Sequence, residues 1–156
     1  MLIESMTPQA SIELLARAKV GRLACALEGQ PYITLMSVTY DAGWIYTFST
    51  VGQKIAWMRT NPLICVEVDE LVSRQDWATV IVLGRYEELP KTANYSNLRT
   101  HAYDLLHRHP MWWEPGYAKI IIEEKERPLE FVYFRIRIDQ ITGRRGIPDT
   151  HPRADG

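Results

Sequence analysis

The chain has 156 residues, a formal net charge of −1, 46% apolar residues and 24% charged residues, values that suit one globular domain with a hydrophobic core of its own. So small a charge supplies no global field for nucleic acid or an anionic membrane, and no apolar run reaches the length that crosses a bilayer. The opening MLIESMTPQASIELLARAK has no basic run followed by an apolar core, so no secretion signal is read and the expected compartment is the cytoplasm.

Thr7-Pro8 opens a first helix: Thr7 suits the cap and Pro8 the first helical position. Ile12, Leu15, Ala16 and Lys19 follow at helical spacing with Leu14 beside them, and Val20-Gly21 ends the run. Arg22 to Leu27 reads as a strand that turns at Glu28-Gly29-Gln30. The next strand, Tyr32 to Tyr40, is apolar or hydroxylic on both faces, which predicts a central strand covered on both sides. Asp41-Ala42-Gly43 is a hairpin signal. It leads into the aromatic and β-branched run Trp44 to Phe48.

That run passes through Ser49 and Thr50 into a short helix carrying Ile55, Ala56 and Met58, which Asn61-Pro62 ends. Thr50 and Gln53 stand at capping-box spacing. A strand turning into a helix start offers free N–H groups and the positive end of a dipole, a favourable place for phosphate. Lys54 adds a cation there. An ordinary strand–turn–helix with a solvated lysine fits the same residues.

Leu63 to Val68 is a further strand, and a polar loop runs from Asp69 to Asp76. Trp77 to Leu83 is strongly β-forming, and Gly84 to Leu89 reads as its bulged continuation before Pro90. Ala93 to His109 has helical spacing through Leu98, Ala102, Leu105 and Leu106. An aromatic loop, 111–117, precedes two last strands around Ala118 to Ile122 and Leu129 to Ile138. In the latter, Val132, Phe134, Ile136 and Ile138 alternate with Phe131, Tyr133, Arg135 and Arg137, which predicts one buried face. Residues 147–156 read as a loose polar tail after a single domain, 1–146. The fold class is mainly β, an antiparallel barrel of about six strands with helical additions.

Cys25 and Cys65 sit far apart in apolar runs and read as buried free thiols. The four histidines have no partners at metal-ligand spacing, so no metal site is expected. There is no GxSxG elbow and no GxGxxG turn. Trp112-Trp113 fits a ligand lid, an oligomer contact or a satellite apolar cluster. Arg144-Arg145 fits a small anion site or a solvated surface. No residue stands out as a proton-transfer catalyst, which points to a bound cofactor carrying the chemistry.

The run VGRLACALEGQPYITLMSVTYDAGWIYTFSTVGQKIAWMRTNPLICVEVD, followed by WATVIVLGRYEEL, resembles the FMN-binding split-barrel proteins of the pyridoxamine 5′-phosphate oxidase-like superfamily. RHPMWWEPGY and FRIRIDQITGRR look like its nitroimidazole-resistance-type branch. The resemblance spans Val20 to about Arg145 and implies a split barrel. It implies that Thr34, Leu35, Met36, Ser37 and Val38 line the flavin ring, mostly through backbone groups. Thr47, Phe48 and Ser49 would pass beside the ribityl chain and phosphate. Gln53 and Lys54 fall where the family places a basic pair on the phosphate, and Thr79 matches a polar flavin contact. It further implies a homodimer with the cofactor between subunits.

Two departures bear on the substrate. Phe48 stands where nitroimidazole-resistance proteins commonly carry a histidine, and the basic residues that hold pyridoxal phosphate are not matched. The expectation is therefore an FMN-dependent oxidoreductase passing hydride or electrons from a reduced nicotinamide to a small acceptor, with Trp112 and Trp113 on the substrate side. The alternatives are an F420-dependent reductase and a non-enzymatic flavin- or haem-binding protein. No nucleic-acid or membrane partner is expected.

Overall fold

The structure is a computed structural model that describes residues 1–108, 119–122, 124–128 and 130–149. Trp112, Trp113 and residues 150–156 lie outside the described residues.

β1 (Leu2–Ser5) precedes α1 (Pro8–Arg17), and β2 (Val20–Leu27), β3 (Gln30–Ser37), β4 (Thr39–Asp41) and β5 (Trp44–Thr50) follow. Next come α2 (Gln53–Thr60), β6 (Leu63–Leu71), β7 (Trp77–Glu88), a 3₁₀ turn at Ala93–Tyr95 and α3 (Ser96–His107). β8 (Lys119–Ile122) and β9 (Lys125–Pro128) form a separate hairpin, and β10 (Phe131–Ile147) closes the order. The main sheet runs β3-β2-β6-β7-β10-β5-β4 with β1 on β10, every pair antiparallel.

β3 and β4 lie at opposite ends of that order, yet only Val38 separates them in the chain. Two Cα–Cα steps span at most about 7.6 Å. The sheet must therefore roll until its ends meet, and no strand pairing joins β3 to β4. The result is a split barrel. At the seam the Val38 amide donates to the Lys19 carbonyl at 3.0 Å.

Inside the roll, Leu23, Met36, Val38, Ile45, Val66, Val68, Val80, Val82, Phe134 and Ile136 form the core. Leu14 and Leu15 of α1 join it, as do Ile55 and Met58 of α2. On the other side of β5 and β10, α3 packs Ala102 and Leu105 on Tyr46 and Leu89.

Local signals placed α1 well. The Ala10 amide donates to Thr7 Oγ1 at 3.1 Å. The helix stops at Arg17, with Ala18 extended, so Lys19 and the exposed Ala16 leave the buried face to Ser11, Leu14 and Leu15. In β10 the expected alternation holds, with Val132, Phe134 and Ile136 buried.

Four expectations change. The run Tyr32 to Tyr40 is two strands, and β3 is a sheet edge on which Ile33 is 65% exposed. Both-face apolarity marks burial without saying what does the burying. The Thr50–Gln53 capping box does not form, because Thr50 still belongs to β5 opposite Phe131, and Gly52 caps α2 without a side-chain bond. The bulge expected at Gly84 falls on the partner strand: Ile138 faces Gly84 and Gln140 faces Leu83, leaving Asp139 as the extra residue. Gly84 is small because a Cβ there would lie 2.5 Å from the Arg137 carbonyl. Finally, β10 runs past Ile138 to Ile147, held at its end by β1.

Candidate functional site

The start of α2 joins two features that favour an anion. Its first intrahelical bond is from the Ala56 amide to the Gly52 carbonyl, and no side chain caps the preceding amides. Lys54, in that first turn, is half-buried, and among the described residues no carboxylate pairs with it. Desolvation by burial pulls its pKa below the ordinary lysine value, with the nearby Cys25 thiol opposing. A partly desolvated ammonium without a counter-charge gains most from a bound anion. Gln53 beside it is exposed and neutral.

The two strands expected to carry a flat ligand meet near this helix. On β3, Met36 and Ser37 are buried with Val38 of the seam, Thr34 is half-buried and Leu35 exposed. Because among the described residues β3 pairs only with β2, every second backbone N–H and C=O along it points away from the sheet. An edge strand presents what recognition through backbone groups needs. A central strand would have spent those groups on a neighbour.

On β5 the side chains divide. Thr47 and Ser49 lie opposite Phe134 and Val132, on the core side, and both are buried. Their hydroxyls turn to backbone carbonyls, Thr47 to Phe48 at 3.4 Å and Ser49 to Thr50 at 3.2 Å. Phe48 points the other way, opposite Tyr133, with ring centroids 6.3 Å from Tyr133 and 5.7 Å from Phe131. Beyond these rings opens a cleft of about 600 Å³ lined by Val51, Lys91, Arg99, Glu130, Phe131 and Tyr133, among others. The Arg99 guanidinium donates to the Leu89 carbonyl at 2.5 Å and lies over Tyr133 at 5.1 Å. Sequence reasoning missed this arginine because its helix position carries no motif, and only the packing of α3 brings it to β10.

Thr79 stands apart from the other predicted site residues. β7 lies three strands from β3, about 14 Å along the sheet. Its hydroxyl donates to Glu67 Oε1 at 3.0 Å, and Arg22 donates to Glu67 Oε2 at 3.0 Å and to Asp69 at 2.9 Å. This network lies on the barrel's outer face, where opposed residues of neighbouring strands share a side. One row there reads Ile33, Ala24, Cys65, Leu83, Gln140, and the next Leu35, Arg22, Glu67, Ile81, Thr142. Ile33, Leu35, Ile81 and Leu83 are all exposed, an apolar surface larger than scattered side chains would give. Of the other candidates, Arg145 pairs with Glu4, and Cys25 and Cys65 are free thiols. Among the described residues no three His, Cys, Asp or Glu side chains are placed to share a metal ion, and no helix is long and apolar enough to cross a membrane.

A family model described as pyridoxamine 5′-phosphate oxidase matches residues 7–145. An uncharacterized protein of Rhizobium meliloti (strain 1021) is 37% identical over 144 residues, 92% of this chain and 95% of its own. A solved structure of a FAD-binding protein from Mesorhizobium loti is 40% identical, with TM-score 0.78, covering 94% of this chain and 99% of that one. At 18% identity and TM-score 0.64, a candidate 5-nitroimidazole antibiotic resistance protein from Bacteroides thetaiotaomicron shares the fold over 92% of this chain and 89% of its own.

Proposed function

Since the chain belongs to the pyridoxamine 5′-phosphate oxidase family, we propose that it is a homodimeric FMN-binding oxidoreductase. The observation that carries this reading is Lys54, a half-buried ammonium with no carboxylate partner among the described residues, at an uncapped helix start. A phosphate supplies the missing counter-charge, and the first-turn amides of α2 add hydrogen bonds to it. Bound FMN would supply hydride transfer from a reduced nicotinamide. The protein's own residues then bind, orient and exclude water.

The exposed edge of β3 offers backbone groups to the ring's polar rim, and the Phe48 ring packs on Phe131 and Tyr133, which line the neighbouring cleft with Arg99. A small aromatic acceptor with an anionic group fits the cleft: the rings give it a face and the spare Arg99 donors a counter-charge. The apolar outer face belongs to the second copy in this reading. The two free cysteines fit the reducing cytoplasm.

The test is the absorbance of the freshly purified protein, with its released cofactor identified by mass. Yellow protein releasing FMN is expected. Release of FAD, the ligand in the Mesorhizobium loti protein's name, would keep the flavin and change its form. A spectrum without the flavin's long-wavelength band would mean F420. Tight FMN that no nicotinamide reduces would mean a non-enzymatic binder. Colourless protein that refuses added FMN would overturn the proposal.

A further inference from the structure

Arginines of this chain bind carboxylates in one recurring way. Arg17 on Glu70, Arg59 on Glu88 and Arg135 on Glu87 each present Nε–H and Nη2–H side by side to both carboxylate oxygens, at 2.5–3.1 Å. Arg99 is held differently. Its Nη1 donates to the Leu89 carbonyl, and its guanidinium lies over the Tyr133 ring. The Nε–Nη2 edge is left over, and among the described residues no carboxylate takes it. Arg99 is half-buried and lines the cleft of about 600 Å³ together with Phe131 and Tyr133. A guanidinium already anchored at one corner offers its fork with less loss of side-chain freedom than a loose surface arginine.

The rest of the cleft discriminates among anions. Phe131 and Tyr133 give a flat ligand apolar contact. Glu88 and Glu130 line the cleft as well as Lys91, with Glu88 already forked on Arg59 and Glu130 exposed. Carboxylates at the site repel a doubly charged phosphate ester more than a singly charged carboxylate. We propose that the acceptor is a flat aromatic monocarboxylate, held side-on by the Nε–Nη2 edge of Arg99 with its ring against Phe131 and Tyr133. Arg99 is then the specificity-determining residue, and Glu130 the group that disfavours a second negative charge. This rests on the flavin reading above and deepens it by naming the acceptor's anionic group and the atoms that hold it.

The test uses the FMN-loaded full chain with benzoate, benzamide and phenyl phosphate as probes. Ligand-observed NMR titration gives the dissociation constants, and the flavin absorbance bands report whether a bound probe lies beside the ring. Benzoate should bind roughly tenfold or more tightly than benzamide, its neutral counterpart, and should shift the flavin bands. Phenyl phosphate should bind no more tightly than benzoate. Arg99→Lys, which keeps the charge and loses the fork, should narrow the preference for benzoate over benzamide, and Arg99→Gln should erase it. Glu130→Gln should favour phenyl phosphate relative to benzoate. A general loss of packing weakens all the probes together, so these ratios separate recognition from folding. Arg108→Gln, outside the cleft, should leave the ratios unchanged. Equal affinity for benzoate and benzamide, a preference that survives Arg99→Gln, or phenyl phosphate bound roughly tenfold more tightly than benzoate overturns the assignment while the flavin function stands. Benzoate that binds without moving the flavin bands lies away from the ring, and it too overturns the acceptor assignment. A chain that refuses FMN overturns both readings.

Discussion

Lys54 carries opposite demands of stability and binding. Its folded pKa is depressed by burial. Between that value and the ordinary lysine value the unfolded chain holds the extra proton, so the cofactor-free protein gains stability as pH rises through this window. Phosphate binding needs the ammonium, so cofactor affinity falls as pH rises through the folded pKa. Lys54→Ala should weaken FMN roughly tenfold or more, measured by equilibrium dialysis, and an unchanged dissociation constant would remove the phosphate site. Lys54→Met should lose cofactor in the same way yet raise the melting temperature of the cofactor-free protein, because an unpaired desolvated charge has gone. The lysine was legible from residue order alone. Its half-burial was not, since that depends on β2 and Cys25 lying beneath α2.

Among the elements, α1 and β10 show what local signals can and cannot give. Thr7 caps α1 through a contact three residues away, which any reading of the chain can find. Thr7→Ala should cost about 1 kcal/mol in denaturant unfolding. The bulge of Asp139 opposite Gly84 depends on two strands more than fifty residues apart, so the glycine was visible but its reason was not. Gly84→Ala puts a Cβ 2.5 Å from a backbone carbonyl and 2.7 Å from Ile136, and should destabilise by about 1–3 kcal/mol, read from the urea midpoint. β1 was missed because its residues Leu2 and Ile3 acquire strand partners only at the far end of β10. The edge position of β3 was missed for a different reason. Ile33 and Leu35 look like core residues because they are apolar, and sequence does not distinguish a surface covered by the same chain from one awaiting a copy or a ligand.

For the whole molecule, the outer face is the feature to test. Leu83 is 47% exposed on the outer face, between Cys65 and Gln140, so Leu83→Glu should leave the monomer folded. In a homodimer closed through this face it places a charge in the interface. Sedimentation should then show dimer association weakened roughly tenfold or more in favour of monomer, with FMN affinity falling alongside. A variant dimer as tight as the original would move the interface elsewhere. The strand order has a consequence for synthesis. β10 lies between β7 and β5, so a nascent chain holds β2, β3, β6 and β7 as one patch and β4 with β5 as another, and the strand that joins them leaves the ribosome after all of these. Until it arrives, β7 and β5 each show an unpaired edge to other growing chains. The chain's vulnerable interval is therefore the time β10 takes to emerge.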